Sequence, residues 1–386
     1  MTSHYNLTSL MQADRSSRKV ILDALQNELG KTFLDAEPAI KSLFKSLIIA
    51  INSDTPIKNL IMHGNGGFGK SEIARAFFRF FGIEPKVIDF HKHISSEEML
   101  GGMNIPIWTK EGKMWFNLEQ SMFAHPFLIV EEGLSAPGDV LGLLRNPLSS
   151  GKYSQNSQEF EIKTMFIVFC TNQNPQQYAA DPDMEAVMQR FRSQLVDWSH
   201  ITPSKYLDNC FSLLRRNITE ECKREDIETL AIALRDCGAS PRQIIAAAEM
   251  LDINLQIDDS PMLADLLTSM GFNVPNLERL REVDQSNKIA RLISESDTSI
   301  NQALTLMLTN AKTAADPLTT ISAAIVTIAV QRRKIVEALA AAEIVTPGIQ
   351  SKFSSAVASC DEHMKSVVTI AGTFHVNNVL KSVGML

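Results

Sequence analysis

An α/β fold is predicted: a parallel sheet flanked by helices, followed by an all-helical lid and a C-terminal helical domain. Three observations carry the prediction. Short apolar runs alternate with helical stretches over the first half of the chain, and strands apolar on both sides belong to sheets covered on both faces. One run, Leu60-Ile61-Met62, leads straight into a glycine-rich loop and then a helix. From about residue 203 the strand signals stop and only helical periodicity remains.

The loop reads His63-Gly64-Asn65-Gly66-Gly67-Phe68-Gly69-Lys70-Ser71 and fits Gly-x-x-x-x-Gly-Lys-Ser from Gly64 to Ser71. Strand, glycine loop, helix is the context in which this pattern holds phosphate. Glycines let the backbone turn tightly and aim N–H groups at phosphate oxygens. The helix N-terminus adds partial positive charge and free donors. Lys70 is expected on the β- and γ-phosphates and the Ser71 hydroxyl on Mg²⁺, which makes ATP and Mg²⁺ the expected cofactors. A glycine-rich turn that binds nothing is the alternative, and the strand and helix flanks weigh against it.

The elements follow in order. Asp14 to Leu29 has apolar residues at helical spacing and stops at Gly30, a C-cap signal. Glu37 to Ile51 is a second helix, with Ile40, Leu43, Leu47 and Ile48 on one face. After the loop helix, Lys86 to Phe90 is a strand, and Ser95 or Ser96 caps a helix. Ile105 to Trp108 and Met114 to Phe116, around Thr109-Lys110-Glu111-Gly112-Lys113, read as a β-hairpin. Leu118 to Ala124 is helical, Phe127 to Val130 a strand, Ala136 to Arg145 a helix and Phe160 to Lys163 extended. Met165 to Cys170 and Gln194 to Asp197 are strands around a helix at Met184 to Phe191. Ile227 to Leu234 and Ser240 to Leu251 are amphipathic helices, and Asp258-Asp259-Ser260-Pro261 is a linker. These readings divide the 386 residues into a helical segment 1–34, an α/β core 35–202 with a hairpin insertion near 103–117, a lid 203–257 and a C-terminal helical domain 258–386.

Composition narrows the function classes. Hydrophobic residues at 45% and charged residues at 21% exclude global disorder. A formal net charge of -7 disfavours a general nucleic-acid binder. Five cysteines without C-x-x-C spacing point to a reducing compartment, and the polar start shows no secretory leader, so a cytoplasmic location is expected. The apolar stretch Ile321 to Val330 is too short to span a bilayer. His91-Lys92-His93 before Glu97-Glu98 is only a weak metal pattern.

In a parallel sheet, ligands bind beyond the carboxyl ends of the strands. Glu131, Glu132 and Asn172 follow such strands. One carboxylate can serve the Mg²⁺ shell, assigned to Glu131, and the next can polarise the attacking water as general base, assigned to Glu132. Asn172 can orient the same water or touch the γ-phosphate; an Asx-turn closing the strand is the plainer reading.

At this point residues 35–252 resemble the AAA+ ATPases, and specifically their MoxR-like branch. The branch resemblance rests on four stretches in order: Ser95-Ser96-Glu97-Glu98-Met99-Leu100-Gly101 before the hairpin insertion, Thr171-Asn172-Gln173-Asn174-Pro175 as sensor one, Glu185-Ala186-Val187-Met188-Gln189-Arg190-Phe191 as the arginine-finger helix, and Gly238-Ala239-Ser240-Pro241-Arg242 as sensor two. The resemblance implies that Arg190 points into a neighbour's ATP site, with Arg192 as fallback. It implies that Arg242 reaches ATP from the lid of its own subunit. A finger given in trans implies a head-to-tail homo-oligomeric ring, most often a hexamer. The implied activity is an ATP-hydrolysing motor or chaperone that remodels a separate protein, with a von Willebrand A domain common among the partners of such relatives. A DNA-acting motor or loader and a small-molecule kinase are the competing classes. One departure matters: the branch ends its third strand in Asp-Glu, and this chain has Glu131-Glu132. Retained ATP binding with slower hydrolysis is therefore expected, and a nucleotide-dependent scaffold is the limiting case. Trp108 and Trp115 either face a pore or pack on their own subunit, and the C-terminal third docks a partner, braces the ring or binds cargo.

Overall fold

A computed structural model describes residues 5–53, 57–113, 115, 117–155, 158–178, 182–220, 222, 224–257, 262–310, 317–342 and 345–382. The chain divides into two compact units, one of Met1–Leu213 with Gly238–Ala246, the other of Leu214–Cys237 with Ala247–Leu386.

The first unit holds a five-stranded parallel sheet. Its strands are β1 (Lys58–His63), β2 (Lys86–Asp89), β3 (Phe127–Glu131), β6 (Phe166–Thr171) and β7 (Ser193–Leu195). Their order across the sheet is β2-β3-β6-β1-β7, and every pairing is parallel. Successive strand residues face opposite sides, and here both sides are covered. Leu60, Met62, Ile129, Phe166 and Val168 pack with Leu25, Leu29, Ile40, Leu43, Leu47, Phe77 and Phe78. Ile61, Leu128, Val130, Ile167 and Phe169 pack with Met99, Leu100, Leu141, Leu144 and Val187 on the other face. Phe77 and Phe78 are wholly buried, and each such side chain contributes about 1.5–3 kcal/mol. The edge strands β2 and β7 are largely exposed. Helices Leu7–Gln12 and Arg15–Gly30 join the first core through Leu10, Ile21, Leu25 and Leu29.

The expected hairpin near 103–117 is corrected: Ile105–Glu111 is a helix. Asn104 caps it, its Oδ1 accepting from the Ile107 N–H, Pro106 sits in its first turn, and Gly112 closes it in the left-handed region. Those three residues fix a helix start and stop, and they outweigh the strand-like alternation of Ile105-Pro106-Ile107-Trp108. Met114 and Phe116 of the expected second arm lie outside the described residues. The insertion is clipped at its base, where Asn104 N–H donates to Trp115 O (2.6 Å) and Asn117 N–H to Gly102 O (2.9 Å). An antiparallel hairpin does occur later, between β4 (Lys152–Gln155) and β5 (Gln158–Glu161).

In the second unit the long helices Leu277–Asn310, Pro317–Ala341 and Pro347–Ser382 share a core of Ile289, Ile300, Ile321, Ile328, Ile335, Phe353 and Val367. Ser296 donates to Gln331 Oε1 inside it (3.2 Å) and Arg332 pairs with Asp361 (2.8 Å). Buried Asp284 accepts the Ala264 N–H (2.7 Å) at the start of helix Leu263–Ser269. The expected linker at 258–261 lies outside the described residues. Among the described residues no helix is long and apolar enough to cross a membrane.

Candidate functional site

Parallel register brings the carboxyl ends of the central strands to one rim. His63 of β1 pairs with Thr171 of β6, and Val130 of β3 with Phe169 of β6. The segments that leave these ends are Gly64–Ser71, Glu131-Glu132 and Asn172, so three stretches far apart in sequence meet there. Gly64, Gly67 and Gly69 all take positive φ, and the helix Lys70–Phe80 starts directly on the loop. Phe68 packs edge-on against Trp198, whose indole N–H donates to Leu34 O (3.3 Å).

Lys70 is the centre of the rim. It is 7% exposed, and its ammonium donates to Gly64 O (2.9 Å), Asn65 O (2.8 Å) and Asn172 Oδ1 (2.9 Å). All three acceptors are uncharged. Among the described residues no carboxylate forms an ion pair with it. Burial pushes its pKa below the usual lysine range. Glu132 and Asp197 favour the charge only from a distance, and a buried cation with no anion in contact is costly, so the loop suits an anionic guest. Asn172 continues the chain by donating from Nδ2 to Glu132 Oε1 (3.2 Å). Glu132 stands at φ +49°, a conformation non-glycine residues seldom adopt and one found where side chains are held for function.

Two residues that sequence reading passed over, Cys170 and Arg75, and one from the expected sensor-two stretch, Ser240, complete the rim. The Cys170 thiol hydrogen-bonds with Ser71, and burial pushes its pKa up to about 12, so it stays neutral. Arg75 places Nη2 2.5 Å from Glu131 Oε1. Its position four residues beyond Ser71, on the same helix face, was the available signal. Ser240 packs on the loop so closely that a Cβ on Gly67 would lie 2.4 Å from its Oγ. Next to it, the exposed Arg242 donates its backbone N–H to Gly67 O (3.2 Å).

Arg190 is elsewhere. Buried Asn59, one residue into β1, grips the segment from both ends of its amide: Nδ2 donates to Arg190 O (3.0 Å) and Oδ1 accepts from Arg192 N–H (3.3 Å). The Arg190 side chain donates to Ser149 Oγ (2.5 Å) and to Ala186 O. At about 3.3 Å per strand residue, β1 holds this anchor about 15 Å from the glycine loop of its own chain.

Residues 59–191 match the family model described as AAA domain (dynein-related subfamily). Over that stretch the chain is similar to AAA domains of the P-loop class. No curated protein matches the sequence. Among solved structures, the S. cerevisiae Hsp104–ADP complex is similar at 18% identity and a TM-score of 0.40, over 65% of this chain and 50% of that one. NtrX from Brucella abortus in complex with ADP is similar at 15% identity and a TM-score of 0.43, over 65% of this chain and 58% of that one. This chain thus spans less than two thirds of either.

Proposed function

We propose that the chain is a ring-forming ATPase of the MoxR-like kind that remodels a separate partner protein. The observation that carries the reading is the Lys70–Asn172–Glu132 relay: a buried ammonium with only neutral acceptors, tied through one amide to a carboxylate on the same rim. The ammonium takes the triphosphate that the loop N–H groups cradle. Glu132 draws a proton from the attacking water, and Asn172 keeps that carboxylate aimed. Bound Mg²⁺ would neutralise phosphate charge, and Ser71 at the helix start fits it as a ligand. Glu131, assigned to the same shell, already pairs one of its oxygens with Arg75, which makes it a weaker ligand.

Arg190 is too far from its own loop to act there, so it serves the loop of a neighbouring copy, where it stabilises charge on the phosphoryl group in transfer. That requirement makes the working form a closed ring of copies, six in the reading favoured here. Arg242 reports the state of the nucleotide from a segment already bonded to Gly67. The partner is a separate protein, with a von Willebrand A domain as the leading candidate. The ion pair on Glu131 favours a second reading, a scaffold that holds nucleotide and turns it over slowly. A DNA-acting motor is disfavoured by the net charge of -7.

Mixing two inactive variants tests the shared site. Lys70→Ala copies keep the finger and lack the loop cation; Arg190→Ala copies are the reverse. Each alone is expected to release no phosphate, and a mixture to recover part of the wild-type rate. A mixture that stays silent, or an Arg190→Ala protein as fast as wild type, overturns the ring reading.

A further inference from the structure

We infer that Arg75 is a positioning residue that occupies Glu131 and so loosens the dependence of nucleotide binding on a divalent cation. The inference rests on reading Gly64–Ser71 as the nucleotide loop. Arg75 lies one helical turn beyond Ser71 in helix Lys70–Phe80, and Glu131 is the last residue of β3. The two are brought together by the packing of that helix on the sheet. Nη2 stands 2.5 Å from Glu131 Oε1, while the contact of Nη1 to the exposed Glu72 is a looser 3.4 Å. The Arg75 Nε is buried and, among the described residues, has no hydrogen-bond partner. The guanidinium is therefore aimed by Glu131 above all.

The extra methylene of Glu131 now has a use. A carboxylate shortened to aspartate would fall back by about 1.5 Å, one carbon–carbon bond, and lose a contact of this length. Glutamate reaches past the loop to the arginine, and a charge-assisted bond to guanidinium is among the stronger hydrogen bonds of a protein. The consequences are electrostatic. A divalent cation at the other oxygen would meet a carboxylate whose charge Arg75 already neutralises, and would be repelled by the guanidinium. Metal-free nucleotide, for its part, meets at Glu131 a neutralised carboxylate rather than a second bare anion on the rim that holds Glu132. Both effects shrink the difference between binding with and without metal.

Equilibrium binding of a fluorescent ADP analogue to the full chain, in Mg²⁺ and in EDTA, tests this. Wild type is expected to lose little affinity in EDTA. Arg75→Ala leaves the Glu131 charge uncompensated and is expected to widen the gap between the two buffers by roughly tenfold. Arg75→Lys should lie between, and Glu131→Asp should resemble Arg75→Ala. In a Glu131→Gln background the Arg75→Ala effect should vanish. Equal metal dependence in wild type and Arg75→Ala overturns the inference, as does an Arg75→Ala effect that persists with Glu131→Gln. Should Arg75→Ala not fold, Glu131→Asp carries the same comparison. A wild-type chain that takes up no nucleotide in either buffer overturns the reading of the loop itself, which is a different failure.

Discussion

Replacing Gly67 by alanine should uncouple the segment Gly238–Ala246 from the glycine loop. Two separate costs add. Gly67 stands at φ +86°, and a side chain there costs about 1–2 kcal/mol from left-handed strain alone. The new Cβ would also lie 2.4 Å from Ser240 Oγ, 2.9 Å from Ser240 Cβ and 3.3 Å from Arg242 Cβ. Comfortable contact begins near about 3.5 Å, so Ser240 must withdraw by about 1 Å. Overpacking of this kind costs about 1–3 kcal/mol. Withdrawal also pulls on the Arg242 N–H to Gly67 O bond. The assay is hydrogen exchange across residues 238–246 together with affinity for a fluorescent ADP analogue. The single variant should lose protection in that segment and bind about tenfold or more weakly, since about 1.4 kcal/mol is a factor of ten. Adding Ser240→Gly should restore the share due to overlap and leave the share due to φ. Wild-type exchange and affinity in Gly67→Ala would refute the reasoning. So would a double variant no better than the single.

Glu132→Gln should keep nucleotide and lose turnover by about 10²-fold or more, the usual yield of a positioned general base; phosphate release beside binding affinity checks it, and a turnover loss matched by an affinity loss would count against the role. In the second unit, burial pushes the Asp284 carboxyl up to about 6 from its ordinary 3.8, against the pull of the Ala264 and Leu263 N–H groups. A raised folded pKa means that stability is greatest below about pH 4 and falls as pH rises to about 6, by about 3 kcal/mol at most. Asp284→Asn keeps an acceptor for the Ala264 N–H and should flatten that slope. The check is hydrogen-exchange protection of helix Leu263–Ser269 at pH 5 and pH 7.5; an equal pH response in wild type and variant would remove the argument.

What could be read from the sequence and what could not divides along one physical line. The three central strands announce themselves because burial on both faces demands continuous apolar runs, as in Phe127-Leu128-Ile129-Val130, whereas the exposed edge strands Lys86–Asp89 and Ser193–Leu195 carry a weaker signal. The glycine loop announces itself because one backbone shape needs those glycines at those positions. The helix Ile105–Glu111 was misread although Asn104, Pro106 and Gly112 were all in view. Its apolar residues imitate a strand, and none of its residues is buried, so no core face was there to set the period. The hairpin β4–β5 left little trace for the opposite reason: Lys152-Tyr153-Ser154-Gln155 is mostly polar and lacks the alternation that marks a half-buried strand. The contacts that tune the rim are of a third kind. Arg75 to Glu131 spans 56 residues and Lys70 to Asn172 spans 102, and no local pattern encodes such a pair. What local pattern does encode is direction: Arg75 falls on the face of Ser71, and Glu131 at the end of a strand whose neighbours are fixed by their apolar runs. Once the sheet order is known, the two charges have nowhere else to go. The expectation of an aspartate at position 131 drew attention to the Mg²⁺ shell. The helix geometry supplies the better question, which is what the longer side chain was lengthened to reach.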